Sequence, residues 1–293
     1  MHAKKQILPT RKTLYGIMLL AVFLFAFGDG NLPNARAQAW ASTHAITYFQ
    51  GNKAGAVSFT FDDGYVSQAT TAVSELNARG LKGTFFLITD PGWISNNISW
   101  ATWRNVAAQG HEIASHTVTH PYLSTLLSED QIRWEFSTSQ ATINQNIPGQ
   151  SGITIAYPFT DSNATVQAIV PDYYVAARGG WTDEGGTLNF YQAGMGPYGP
   201  FFPINFSNVS SAVMDGVGVD DPTFNSHLDR AVLYHAWQPL MYHQIPDATA
   251  FGDVIDYIQG KQVYWIDTFG NIARYMKERL NSTVQVITDT GCG

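Results

Sequence analysis

Cysteine is nearly absent: Cys292, next to the last residue, is the only one. No disulfide can close within the chain, so a fold of this sequence must be held by its core. Positive charge is scarce as well. Lys and Arg number 16 against 23 Asp and Glu, for a net charge of −7. So acidic a chain is a poor partner for nucleic acid, whose binding is dominated by cations on phosphates. Internal repeats and low-complexity tracts are missing, and so is any long apolar run but one. That run, Leu14 to Phe27, follows Lys4, Lys5, Arg11 and Lys12 and precedes Ala35-Arg36-Ala37, a small-x-small cleavage pattern. At about 1.5 Å per residue it spans about 21 Å, short of a hydrocarbon core of about 30 Å. Residues 1–37 therefore read as a secretory signal rather than a permanent anchor. The expectation is a secreted or periplasmic protein with no stable membrane insertion after cleavage. Cleavage leaves 11 basic and 22 acidic residues, net −11. The remaining stretch, 38–293, is long and apolar enough for one domain of barrel size.

Strand and helix signals alternate along that stretch. Strands are expected at Asn52 to Phe61, Lys82 to Thr89, His111 to Ser115, Ile153 to Tyr157, Tyr173 to Arg178, Val232 to Tyr234, Leu240 to Tyr242 and Val263 to Ile266. Helices are expected from Val66 to Arg79, from a cap at Ser99 to Gln109, from Ser128 towards Asn144, and from Thr268 to Leu280. Such alternation implies an α/β fold with a parallel sheet, here a distorted, incompletely closed (β/α) barrel of about seven strands. One region breaks the pattern. From Gly179 to Asp229 the chain is rich in Gly, Pro, Asn and aromatics and too long for an ordinary connection. It is either an insertion with small strands of its own or a lid.

Chemistry concentrates at two places. In Ser58-Phe59-Thr60-Phe61-Asp62-Asp63-Gly64, Val57, Phe59 and Phe61 alternate with small polar residues, the period of a strand with one buried face. The aspartates then sit at the strand's C-terminal mouth, the end of a barrel where chemistry is found. Neighbours on a strand point to opposite sides, so Asp62 and Asp63 can serve different partners, one a metal and one a proton. A solvated turn is the plain alternative. The second place is His116-Thr117-Val118-Thr119-His120. On a strand these histidines would stand roughly 13 Å apart; across a helical turn they come within about 5 to 6 Å, close enough to share an ion at about 2 Å. The chain should therefore coil just after that strand, unless the pair is merely structural.

These motifs, with Ala156-Tyr157-Pro158-Phe159 and the strand-end His243 of Leu240-Met241-Tyr242-His243, resemble in kind and order those of the polysaccharide deacetylases, the NodB-homology or carbohydrate esterase family four. The similarity runs from about Ala56 to about Leu280. It implies a distorted (β/α) barrel that hydrolyses acetyl groups on a sugar polymer with one divalent ion. Zinc is the first choice and cobalt or nickel the alternatives, since mixed N/O ligands suit all three. Carried over, the resemblance makes Asp63, His116 and His120 the ligands, Asp62 the general base, His243 the general acid and the Phe159 backbone N–H an oxyanion donor. Tyr157, Pro158, Trp181 and Met241 become substrate-binding candidates, Met241 where a leucine often lines the acetyl methyl pocket. The substrate class implied is an acetylated polysaccharide, most simply N-acetylhexosamine units. An O-acetyl xylan esterase would use the same groups, and a non-catalytic carbohydrate-binding protein would keep only the fold.

One position departs from the family pattern. The arginine that commonly opens the third motif and steadies the base is Ala156 here. Arg178, at the end of the next expected strand, is the candidate replacement, able to hold Asp62 through its guanidinium fork; a surface ion pair is the alternative. His111-Glu112 is no zinc motif, because His116 lies one residue too far along for His-Glu-x-x-His. His111 is expected to be structural, and His227 and His235 have no partner at ligand spacing.

Overall fold

A computed structural model of the chain describes residues 46–126, 128–180, 188–190, 194–196, 199–201 and 204–284. The expected signal at 1–37 and Trp181 lie outside the described residues. Among the described residues no helix is long and apolar enough to cross a membrane.

The strands, in chain order, are β1 (Gly55–Asp63), β2 (Thr84–Leu87), β3 (Glu112–Ser115), β4 (Thr154–Ala156), β5 (Ala176–Arg178), four short ones, β6 (Asn189–Phe190), β7 (Gly194–Gly196), β8 (Gly199–Phe201) and β9 (Ala212–Val213), then β10 (Ala236–Tyr242) and β11 (Tyr264–Ile266). Seven parallel strands, β1 to β5 with β10 and β11, make an open half-barrel surrounded by helices. β1 is its axis. One edge of β1 pairs with β10 from Ala56↔Trp237 to Phe61↔Tyr242. The other is shared end to end, β11 taking Gly55 to Val57 and β2 taking Thr60 to Asp63. Flanked along both edges, β1 is buried on both faces rather than on one, as its alternation had implied. The polar residues find partners there: Ser58 accepts from Trp237 Nε1 at 3.0 Å, and Thr60 donates to the Leu240 carbonyl at 2.8 Å.

The helices are α1 (Val73–Ala78), α2 (Pro91–Asn96), α3 (Trp100–Ala108), α4 (Leu123–Leu126), α5 (Glu129–Asn146), α6 (Ala164–Ile169), α7 (Pro222–Leu233), α8 (Ala248–Gly260) and α9 (Phe269–Leu280). Caps expected from the sequence are in place: Ser99 accepts from Thr102 N–H, Thr268 from Asn271 N–H, and Ser128 with Gln131 closes a reciprocal box at the start of α5. The expected strand at Val232 to Tyr234 does not form. Those residues end α7, which starts at the cap Asp221 with Pro222 in its first turn and buries Phe224, Leu228 and Ala231 along one face. Helical burial of that stripe overrides the β preference of a short Val-Leu-Tyr run.

Where the half-barrel lies open between β5 and β10, residues 206 to 213 lace it. Ala177 donates to the Phe206 carbonyl at 2.8 Å, Val209 bridges Arg178 in parallel, and β9 pairs with Leu240 and Met241 of β10. With β6 antiparallel on β10 and β7 paired to β8, the region from 179 to 229 carries small strands of its own.

Candidate functional site

β1 ends in two consecutive residues with positive φ, Asp63 (+76°) and Gly64 (+84°). Any side chain at position 64 would be strained there, and a Cβ would meet Leu87 Cδ2 at 3.0 Å. This left-handed exit swings Asp63 away from the row occupied by Asp62. The chain after β3 coils just as abruptly, Thr117 and His120 standing at φ +66° and +56°. The two imidazoles meet edge to face with centroids 4.8 Å apart.

Asp63, His116 and His120 converge. Asp63 Oδ1 lies 3.5 Å from His116 Nε2 and 3.4 Å from His120 Nε2, with one ligand atom from each residue within 4.8 Å of the others. His116 Nδ1 donates to the Ala156 carbonyl at 2.9 Å, which leaves the Nε2 lone pair for the cluster. Burial lowers the His116 pKa to about 3, and burial also lowers that of His120, which favours in both rings the neutral form that a metal ligand needs. Asp63 Oδ1 is buried and accepts no hydrogen bond. An orphaned carboxylate oxygen facing two imidazole lone pairs fits a divalent cation. A residue unnoticed in the sequence fixes this loop. Glu135 of α5, buried, accepts from the backbone N–H of Val118 at 2.7 Å and of Thr119 at 3.0 Å, and from the Thr119 hydroxyl. Its signal was a charge on the otherwise uncharged face of Ile132, Phe136, Ser139 and Ile143.

Asp62 takes a different partner, as its place beside Asp63 implied. Arg178, fully buried at the end of β5, donates from Nη2 to Asp62 Oδ2. Arg178 stands directly across from Ala156 in the β4–β5 register. The fork is split rather than bidentate on Asp62: Nη1 goes to Ser211 Oγ at 3.1 Å, the Gly179 carbonyl and Met241 Sδ. Burial pushes the Asp62 pKa up, and the Arg178 charge, then that of His243, pulls it back.

His243 is half-exposed at the end of β10. Its Nδ1 pairs with Asp215 Oδ2 at 2.5 Å, and its backbone N–H donates to Asp215 Oδ1 at 2.9 Å. That hydrogen bond raises the imidazole pKa against the effect of burial. Asp215 was not foreseen; it lies in the irregular region, where no periodicity marks a side chain's direction.

Asp62, Asp63, His116, His120 and His243 all line one cavity of about 970 Å³, with Phe159 and Met241. Tyr65, Asp90 and Trp93 line it too. Trp93 Nε1 donates to the Asp63 carbonyl at 2.7 Å, so this tryptophan braces the cluster's backbone. Tyr157 and Pro158 do not line the cavity, contrary to the substrate-binding role expected of them. Tyr157 follows the inward-facing Ala156 and so points the other way, buried among Phe136's neighbours with its hydroxyl on the Ser207 carbonyl at 2.5 Å. Phe159 is held at φ +55° with half its surface exposed, stacked on Tyr122 at 4.0 Å. His111 is structural: its Nδ1 accepts from Gly83 N–H at 3.0 Å, and burial holds its pKa near about 4.

Comparison with known proteins gives a consistent picture. The polysaccharide deacetylase family model matches residues 50–176. A gellan lyase from Bacillus sp. is 27% identical over 280 residues, which cover 87% of this chain and 11% of the relative. A chitin deacetylase from Colletotrichum lindemuthianum is 29% identical over 164 residues, 53% of this chain and 60% of the relative. The chain thus spans less than two thirds of the length of either. A crystal structure from Mycobacterium smegmatis, named provisionally as a polysaccharide deacetylase, shares the fold with a TM-score of 0.62 at 15% identity, covering 85% of this chain and 99% of the other.

Proposed function

We propose that this chain, matched over residues 50–176 by the polysaccharide deacetylase family model, is a member of that family and hydrolyses acetyl groups on a polysaccharide, N-acetylhexosamine units first, with one divalent ion. The observation that carries the reading is the meeting, in one cavity, of the Asp63–His116–His120 cluster with a partnered carboxylate, Asp62, and a partnered imidazole, His243. Asp63, His116 and His120 would hold the divalent ion, which when bound would supply Lewis-acid polarisation of an acetyl carbonyl and acidify water. The remaining work falls to the chain. Asp62, one oxygen held by Arg178, keeps Oδ1 without a hydrogen-bond partner and free to take a proton from attacking water. His243, whose Nδ1 is committed to Asp215, delivers a proton from Nε2 to the departing nitrogen. An amine cannot leave without that proton, and a pKa raised by Asp215 keeps it available. Met241, fixed against Arg178, packs on the acetyl methyl. The protein would meet such a polymer after export, which agrees with the signal expected at 1–37.

Released acetate, measured on chitin oligomers, peptidoglycan, gellan and acetylated xylan with and without a chelator, tests the reading. Chelator-sensitive release from the N-acetylated polymers is expected. Asp63→Asn should lose the metal, whereas Asp62→Asn should keep it and lose most turnover, because an amide accepts no proton. Full activity in metal-free protein, or equal metal content and activity in the two variants, overturns the proposal.

A further inference from the structure

Six residues after Asp62, Gln68 is completely buried in a stretch where its neighbours Val66 and Thr70 are exposed. It opens a π-turn, Gln68–Ala72, in which Val73 N–H reaches back to the Gln68 carbonyl before the helix settles into α1. Isolated π-turns of this kind concentrate at functional sites, since the extra residue redirects a side chain at some expense to the helix. Here the redirected group is the carboxamide. Its Nε2 donates to the Asp62 carbonyl and, at 2.6 Å, to the His243 carbonyl. Both partners are acceptors, so only the nitrogen end of the amide can sit between them.

The place of this bridge gives it meaning. The ladder between β1 and β10 ends at Phe61↔Tyr242. Asp62 and His243 are the next residues on each strand, beyond the last rung, where their carbonyls would otherwise be buried or left to repel. The Gln68 amide acts as one more rung. Past His243 the residue before Gln68 adds a second tie, Ser67 Oγ accepting from Ile245 N–H at 3.0 Å.

We infer that Gln68 is a positioning residue that sets the separation between proton acceptor and proton donor by clamping the backbones of Asp62 and His243. The inference rests on the hydrolytic reading above. A displacement of about 1 Å between reacting groups can cost about a hundredfold in rate. Asp62 stays fixed without the clamp, paired with Phe86 of β2 and bonded to Arg178, whereas His243 lies past the last residue of β10, so the group that shifts when Gln68 is lost is His243.

The test uses metal-loaded full-length protein and two substrates, a chitin oligomer, whose amine leaves only when protonated, and 4-nitrophenyl acetate, whose phenolate leaves without a proton. Gln68→Met keeps the length and removes both donors. Its expected phenotype is unchanged metal content, KM within about twofold, kcat on the oligomer down about a hundredfold, and kcat on the aryl ester down less than about threefold. Gln68→Asn, an amide one methylene short, should fall between, and covers the case in which the methionine variant folds poorly. Adding His243→Ala to Gln68→Met should bring little further loss on the oligomer, because the first change deletes the proton donor that the second has already put out of place. Equal losses on the two substrates, or additive losses with His243→Ala, overturn the positioning role while leaving the hydrolase reading intact. A wild type that releases acetate from neither substrate removes both.

Discussion

Arg178→Ala probes the departure from the family pattern most directly. The guanidinium is fully buried and Asp62 nearly so, with side-chain exposures of 0% and 4%. Breaking a buried pair by removing one partner costs about 3–5 kcal/mol, because the survivor is left charged and poorly solvated. The folded protein can relieve part of that by protonating Asp62. Its pKa is already raised by burial, and Arg178 is the largest influence pulling it down, so the variant's value moves higher still. A carboxyl whose folded pKa exceeds its unfolded value lends stability below the unfolded pKa and loses it as pH rises through the folded one. The deficit in the variant should therefore be largest near neutrality and shrink on acidification. Turnover follows the same group: a protonated Asp62 is no base, so the acidic limb of the pH–rate profile should shift upward. The loss at neutral pH is bounded by the worth of a general base, about 10²–10⁴. Arg178 touches none of Asp63, His116 or His120, so metal content should stay within about twofold.

The companion change sharpens the prediction. Ala156 lies across from Arg178 on the inward face of the barrel, and Arg178 already spans that space, its Cζ 5.5 Å from the Phe86 ring centroid. Ala156→Arg alone should overpack the site by about 1–3 kcal/mol. With Arg178→Ala the space is vacated, and an arginine from position 156 should recover part of the lost turnover, a favourable coupling between cross-strand neighbours. Acetate-release kinetics against pH, denaturant melts at two pH values and metal analysis read every term. Wild-type kinetics in Arg178→Ala would show that Asp62 is steadied by something else.

Two other perturbations separate the supports of the site. Asp215→Asn should lower the His243 pKa by weakening its strongest raising influence, so the alkaline limb of the pH–rate profile moves to lower pH, and an unmoved limb would detach Asp215 from the acid. Glu135→Ala strips the partners from the Val118 and Thr119 N–H groups, and competition with a metal indicator should show affinity weaker by about 10–100-fold; unchanged affinity would mean that the histidine loop holds itself.

What was legible in the sequence was chemistry packed into contiguous residues. Asp62 and Asp63 are adjacent, His116 and His120 share one coil, and strand–helix alternation places both pairs at strand ends. Arg178 could be anticipated because Ala156 stands where the resembled family commonly has an arginine, and the next expected strand ends in one. Tyr157 was misplaced for the opposite reason. Membership of a motif says nothing about side-chain direction, whereas strand alternation sends Ala156 inward and its neighbour away. Gln68 and Asp215 were invisible because each acts through a long-range pairing, over 175 and 28 residues respectively. No local period encodes a glutamine that bonds two carbonyls brought together only by the β1–β10 ladder. Glu135 had a signal, a carboxylate on the core face of a helix, and that kind of conflict between pattern and polarity is the most readable sign of a supporting residue.

The irregular region shows why fold and site must be understood together. Residues 206 to 213 supply the pairing that the open edges of β5 and β10 lack, and unpaired edges are a liability in any sheet. The run reaches the chemistry as it continues to Asp215. Ser211, between the pairing at Val209 and that at Ala212, is fully buried and accepts from Arg178 Nη1, the arm of the guanidinium that Asp62 does not use. Asp215, two residues past β9, holds both the ring and the backbone of His243. One short run, Val209 to Asp215, therefore steadies Arg178 behind Asp62 on one strand and holds His243 at the end of the other. This described part of the region is a brace across the barrel mouth rather than a lid over it. The arrangement also accounts for an arginine on β5: that strand is the one the brace touches, so a guanidinium placed there gains Ser211 and the Gly179 carbonyl as second anchors. On β4 an arginine would face Asp62 without that support.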